Sequence, residues 1–240
     1  MKIDLNMKHW VCLTIFLASS LLAAGSSPQE DVLAAIAALG TQTNYSWKTT
    51  VQLGLLHSAT TRYGRTVKDG YTLFSTNPAN DQGIPDSFAV LIRGTNAAVQ
   101  TAPNSWRSAA DVLRDPGSRS TPAWALAQTA QNLKPPAILA ANLAAQAQDW
   151  LAGTNSLAGV LNAESVTSLL GDRLPISTNR LVRVTFWITD GKLAKFQWHA
   201  TGMTTFNGSS RNMDRTATTE IMSVNTTKLQ VPDEARKILE

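Results

Sequence analysis

The spacing of apolar positions changes several times along the chain. It opens with a mostly apolar run, Trp10-Val-Cys-Leu-Thr-Ile-Phe-Leu-Ala-Ser-Ser-Leu-Leu-Ala-Ala24. A helical period follows over Pro28–Leu39, where Val32, Leu33, Ile36 and Leu39 mark one face. Pro28 near the start, Glu30 and Asp31 in the first turn and Gly40 after the end fit a helix. The period then drops to two. Tyr45, Trp47, Thr49, Val51 and Leu53 alternate with Ser46, Lys48, Thr50 and Gln52, which predicts a half-buried strand. Thr60–Val67 and Tyr71–Ser75 flank Lys68-Asp-Gly70, and Ser87–Arg93 and Asn96–Thr101 flank Gly94; both read as hairpins. Strands that follow one another without crossover helices form antiparallel sheets.

From about 105 to 172 the chain is rich in Ala and Leu and poor in β-branched residues, and it reads as a helical insertion. Helices are expected at Trp106–Arg114, at Pro122–Leu133, and from Pro135-Pro136 to Leu151, with Leu139, Leu143, Gln146 and Trp150 on one face. A short one is expected at Ala163–Leu170, and Asp115–Pro122 is a loop of turn formers. Strands resume at Arg180–Thr189 and Lys192–Thr201 around Asp190-Gly191, followed by Arg211–Val224 and Thr226–Val231. Pro232–Leu239, with acids first and bases last, closes as a helix. The expected class is α+β: a curved antiparallel sheet of eight to ten strands, a half-barrel, packed against helices.

The opening run takes its meaning from its flanks. Lys2 and Lys8 precede it and Ala23, Ala24, Gly25, Ser26 and Ser27 follow it, the order of a secretory signal peptide. Its core of about 15 residues is short of the ~20 that span a bilayer. The expected division is a signal peptide at 1–25 and one domain at 26–240. Translation starts at Met1 or Met7; the cut follows Ala24 with Leu22 at −3, or Gly25 with Ala23 at −3. The exported domain is expected in the periplasm or outside the cell, with no transmembrane span after cleavage. The single cysteine, Cys12, lies within the apolar core and not at its end, which argues against lipid anchoring. Its loss leaves no disulfide, thiolate metal site or thiol nucleophile.

Charge narrows the field further. The net charge is +4, and charged residues are 16% of the chain, against about 25% in ordinary domains. Lys and Arg are scattered, which is not the footprint of a nucleic-acid binder. His57 and His199 are the histidines outside the leader, and neither has a second histidine or a carboxylate at metal-ligand spacing. No metal or cofactor is expected. His199 falls on the polar side of a strand and reads as solvated. Gly-x-Ser-x-Gly is absent; Gly117-Ser-Arg-Ser120 approaches it but lies among turn formers. No catalytic residue is assigned. The sequons at Asn44, Asn207 and Asn225 are short enough to arise by chance.

Aromatic placement is the remaining signal. Trp47, Phe74, Val90, Ile92, Val184, Phe186, Phe196 and Trp198 fall on strands. They read as an ordinary core, or as the lining of an apolar cavity between a curved sheet and its helices.

The order of elements resembles that of the LolA-like periplasmic lipoprotein-carrier superfamily, which includes mycobacterial lipid-binding lipoproteins. The resemblance rests on Leu39–Gln52, Tyr63–Phe74, the interrupting helices, Val184–Phe196 and Asn225–Ala235. It implies a half-barrel closed by helices and able to hold an acyl chain or another apolar ligand. Three functions remain: a non-enzymatic carrier of a lipid-like ligand, a cell-envelope scaffold binding a protein partner, or a hydrolase in whose cleft an Asp or Glu meets His57 or His199.

Overall fold

The computed structural model describes residues 27–54, 58–78, 88–162, 164–166, 178–206 and 209–240. The expected leader and its expected cleavage region at Ala23, Ala24 and Gly25, together with His57 and Asn207, lie outside the described residues.

Eleven strands form one antiparallel sheet, more than the eight to ten expected. They are β1 (Asn44–Leu53), β2 (Ser58–Val67), β3 (Tyr71–Ser75), β4 (Ala89–Arg93), β5 (Asn96–Ala102), β6 (Ser105–Ser108), β7 (Ala147–Ala152), β8 (Leu157–Leu161), β9 (Thr178–Thr189), β10 (Lys192–Phe206) and β11 (Ser209–Met222). The order across the sheet is β6-β5-β4-β3-β2-β1-β11-β10-β9-β8-β7. Two meanders, one from each half of the chain, join where β1 pairs with β11. The sheet is open, with β6 and β7 as its edges. Helices among the described residues include α1 (Pro28–Gly40), α2 (Ala109–Arg114), α3 (Pro122–Ala130), α4 (Pro136–Gln146) and α5 (Asp233–Leu239). None is long and apolar enough to cross a membrane.

Local chemistry explains most of these boundaries. Ser27 caps α1 in a reciprocal capping box with Glu30: the Glu30 N–H donates to Ser27 Oγ, and Ser27 N–H to the Glu30 carboxylate. In the β9–β10 hairpin, Asp190 and Gly191 both take positive φ, 51° and 70°, as a two-residue turn matched to strand twist requires.

The Ala- and Leu-rich middle departs most from expectation. Residues 105–108 are strand, and only 109–114 are helical. The helix expected to reach Leu151 stops at Gln146. The chain continues directly as β7 and returns as β8, which pairs with β9. Composition there favours helix, but unpaired β9 backbone offers a full ladder, and ladder pairing overrides a weak propensity. Asp149, at φ 52°, sits in the resulting bulge.

Thr226–Val231 is not a strand, despite its β-branched alternation. β11 already has β1 on one side and β10 on the other, so no ladder is open to it. Instead Ser223 and Asn225 turn the chain with positive φ, and two sequon asparagines clasp it. Asn44 Oδ1 accepts from the Thr227 N–H at 2.8 Å. Asn225 donates to Gln42 Oε1 at 2.7 Å and accepts from Thr43 Oγ1 at 3.0 Å.

The core lies on two sides of the sheet. On the inner side, α1 and α4 pack together over the β7–β10 flank, and α2 and α3 pack over β4 and β5. Among the described residues, the outer side is packed at β3–β6, by α5 and the segment leading into it. There Tyr71, Leu73, Leu91 and Ala98 meet Val231, Ala235 and Leu239. The Glu234 carboxylate accepts the Trp106 N–H of edge strand β6 at 3.1 Å.

Candidate functional site

Strand register brings all eight predicted lining residues to the inner side. Val90 pairs with Phe74, Phe74 with Gly64, and Gly64 with Trp47. Phe186 pairs with Phe196, and Val184 with Trp198. Thr219 of β11 links the two series, opposite Thr49 on one side and Phe196 on the other. Seven of the eight belong to one buried cluster; Ile92 packs on it half-buried.

They are not equivalent in position. Val90 and Ile92 lie on the flank covered by α2 and α3, and Val184 and Phe186 on the flank covered by α1 and α4. Trp47, Phe74, Phe196 and Trp198 border the gap between those flanks. In that gap Thr49, Val51, Leu53, Arg62, Met213 and Arg215 face inward and are half-buried, beside the buried Ala217 and Thr219 of β11. The described helices pack mainly on the flanks and leave this strip between them.

The floor of the strip begins at a close fit. Trp47 lies across Gly64, where a methyl group would collide with the indole ring carbons. This is an aromatic side chain seated on a cross-strand glycine. Trp47 also packs against Phe74, centroids 6.1 Å apart. Its Nε1 is buried and has no hydrogen-bond acceptor. Beside it, Thr49 and Thr219 share a hydroxyl hydrogen bond of 2.8 Å. Tyr45, two residues before Trp47, is buried, and its hydroxyl oxygen accepts the Ala137 N–H of α4 at 3.5 Å. Burial raises the Tyr45 pKa above the ordinary tyrosine value, against the opposing pull of hydrogen bonds with Thr66 and Ala137.

Two arginines bound the strip, and sequence reasoning missed both. Arg62, opposite Thr49, lies 5.6 Å from the Phe74 ring centroid. Arg215, opposite Leu53, lies 5.4 Å from that of Trp198. The signal was present in the parity: Arg62 is two residues from Gly64, and Arg215 two from Ala217. Finding them required knowing which strand faces which. By contrast, the two carboxylates of β11, Asp214 and Glu220, fall on the outer side.

A separate cleft of about 350 Å³ opens between α1, the β7–β8 turn and the β9–β10 turn. Asp31, Ala35, Asn155, Leu157 and Ile188 are among its lining residues, and it contains none of the eight predicted positions.

Candidate catalytic elements resolve differently. His199 does meet a carboxylate: its Nε2 lies 2.9 Å from Asp214 Oδ1. The pair stands on the outer side of the sheet with both side chains about half exposed, 42% and 53%. Arg183 and Thr216 are the residues opposite His199 on its neighbouring strands. In the Gly117–Ser120 loop, the Ser118 hydroxyl donates to Asp115 at 3.0 Å. Arg107, then Ser118 and the Gly117 N–H, hold the Asp115 carboxyl below its ordinary pKa. That arrangement closes a turn and activates no nucleophile. Among the described residues, no group of three or more His, Cys, Asp or Glu could hold a metal ion.

No family model and no curated protein matches the chain. Solved structures similar to it include LprF from Mycobacterium bovis, at 12% identity, 87% of this chain, 97% of that one and a TM-score of 0.41. The LolA superfamily protein NE2245 from Nitrosomonas europaea matches at 11% identity, 90% and 98% coverage and a TM-score of 0.32. A DUF1329 family protein from Desulfovibrio piger ATCC 29098 matches at 11% identity, 90% and 100% coverage and a TM-score of 0.34.

Proposed function

We propose that this chain is an exported, non-enzymatic binding protein that holds a lipid-like or otherwise apolar ligand on the inner side of its sheet. The observation that carries the reading is the half-buried strip of β1, β2 and β11. It is continuous with the aromatic cluster of Trp47, Phe74, Phe196 and Trp198, and helices flank it on both sides. A surface of this kind, apolar with a few polar groups and set between packed elements, is the usual make-up of a small-molecule site. The eight residues predicted from the sequence supply its floor and flanks.

The hydrolase reading has a His–Asp pair, but that pair lies part-exposed on the outer side of the sheet, opposite to the strip. Acid–base catalysis needs a substrate held within hydrogen-bond reach of the base, and among the described residues no helix packs on the outer side at His199. The envelope-scaffold reading would instead use the sheet edges, β6 or β7.

Uptake of a fluorescent fatty acid by the purified protein tests the proposal. Saturable uptake is expected, and Val51→Trp, which fills the strip, abolishes it without lowering the melting temperature by more than a few degrees. A protein that takes up no apolar probe, but co-purifies with an envelope protein, would instead support the scaffold.

A further inference from the structure

We infer that the cleft between α1 and the β7–β8 turn is a second binding site, and that it takes the ring of a neutral or amine-bearing pyranose sugar. Its volume, about 350 Å³, falls at the lower end of the roughly 300–1,000 Å³ of small-molecule sites. None of the eight inner-side residues lines it, so this inference stands apart from the binding function proposed above.

The lining has two unlike parts. One is apolar: Ala35 of α1 is buried, and Leu157 of β8 and Ile188 of β9 are half-buried. Register puts Leu157 opposite Phe186, with Ile188 two residues further along β9, so both lie on the side over which α1 packs. The other part is a tight polar turn, closed where the Gly153 N–H donates to the Ser156 carbonyl at 2.7 Å. Thr154, Asn155 and Ser156 of this turn all line the cleft. Thr154 and Asn155 are exposed and Ser156 is half-buried, so a ligand can reach them. Among the described residues, none of these three side chains is committed to a hydrogen bond. Each hydroxyl donates and accepts, and the Asn155 amide adds two donors and an acceptor.

A pyranose has the same duality. Its C–H face is apolar and its rim is a set of hydroxyls that donate and accept. The ring rests on Ala35, Leu157 and Ile188 while rim hydroxyls meet the turn. A purely apolar ligand would instead strip water from the turn without replacing its hydrogen bonds, which costs affinity. Charge sets the order among sugars. Asp31, exposed in the first turn of α1, is the charged residue among the described lining residues, and no Lys or Arg is among them. Asp31 keeps an interaction within the fold, and no hydrogen bond from it to the sugar is required. Its negative charge favours an amine over a neutral ring and a neutral ring over an acid.

The test is an NMR titration of the purified protein, read at its backbone amides, with glucose, glucosamine, glucuronate, cellobiose, glycerol and n-butylamine. Glucose and glucosamine should shift the amides of Ala35, Asn155, Ser156 and Leu157 saturably, with Kd on the order of millimolar. Glucosamine should bind at least as tightly as glucose, and glucuronate about threefold or more weaker. Glycerol, which has no ring, and n-butylamine, which has no hydroxyls, should leave these amides unmoved at the same concentrations. Cellobiose separates two sources of one chemistry: binding at least as tight as glucose marks the end of a glycan, and weaker binding marks a free monosaccharide. Asn155→Ala should weaken glucose about fivefold. Ala34→Trp, at an exposed position on the cleft rim, should abolish binding, and Asp31→Asn should bring glucosamine and glucuronate together. Thr61→Ala, opposite Thr50 on the outer side, should change nothing. Glucose that leaves the cleft amides unmoved, or glycerol or n-butylamine that moves them as much, overturns the inference. Either of those results is read on the unaltered protein, and neither bears on uptake of an apolar probe by the strip.

Discussion

The wing formed by β3, β4 and β5 and the middle formed by β1, β2 and β11 are parts of one sheet under different constraints. In the wing both sides are buried: α2 and α3 cover one, α5 the other, and every residue of Tyr71–Ser75 is buried. In the middle the outer side meets solvent, and the inner side lies in a gap between helices. The wing sequences, Tyr-Thr-Leu-Phe-Ser and Ala-Val-Leu-Ile-Arg, are accordingly near-continuous in apolar character. The middle alternates, with threonines and arginines at inner positions where a closed core would place aliphatics. A packed protein interior tolerates few polar groups. Arg62, Arg215 and Thr49 instead stand half-buried at inner positions of the middle.

Substitutions that treat the two regions alike should separate them. Leu91→Ala removes a fully buried wing side chain and should cost about 2–5 kcal/mol in chemical denaturation. Val51→Ala in the strip should cost less than about 1 kcal/mol while weakening uptake of an apolar probe. Equal losses at the two sites would erase the contrast. Gly64→Ala tests the boundary between them. The added methyl displaces the Trp47 ring, and about 1–3 kcal/mol of overpacking cost is expected, with a change in tryptophan fluorescence.

Tyr45 joins the strip to α4. Because its folded-state pKa lies above that of the unfolded chain, its contribution to stability is full below the ordinary tyrosine value and is lost as pH rises through the raised one. Tyr45→Phe should flatten the alkaline limb of the stability–pH curve and cost about 1 kcal/mol near neutrality through the lost contact with the Ala137 N–H. The smallest effect is expected on the outer side. His199→Gln or Asp214→Asn should shift stability by no more than about 0.5 kcal/mol, since both groups are half exposed, and should leave ligand uptake unaltered.

The same contrast explains what could be read in the sequence. Strands with a clean period of two, such as Tyr45–Leu53 and Val182–Ile188, declare their inner side outright, and the eight lining residues come from them and from the wing. The capping box at Ser27 and the Asp190-Gly191 turn are equally local signals. Ala147–Ala152 was illegible because nothing in its composition records that β9 has a free edge for β8. Thr226–Val231 failed for the converse reason: its alternation is sound, but both edges of β11 are taken. Arg62 and Arg215 needed register, which only the folded sheet supplies, before their positions on the inner side could be recognised. The same holds for Asp214 beside His199, 15 residues away across a hairpin.

The most direct test of the central claim exploits the scarcity of thiols. With Cys12→Ser, a single introduced cysteine is the only one in the chain. Val51→Cys places it on the inner strip, and Gln52→Cys places it one residue on, on the outer side. The rate of maleimide labelling is then measured at each with and without saturating oleate. A bound ligand should slow labelling at position 51 by about tenfold or more and leave position 52 unchanged. Equal rates at position 51 with and without ligand, while oleate is demonstrably bound, would place the ligand elsewhere and contradict the account.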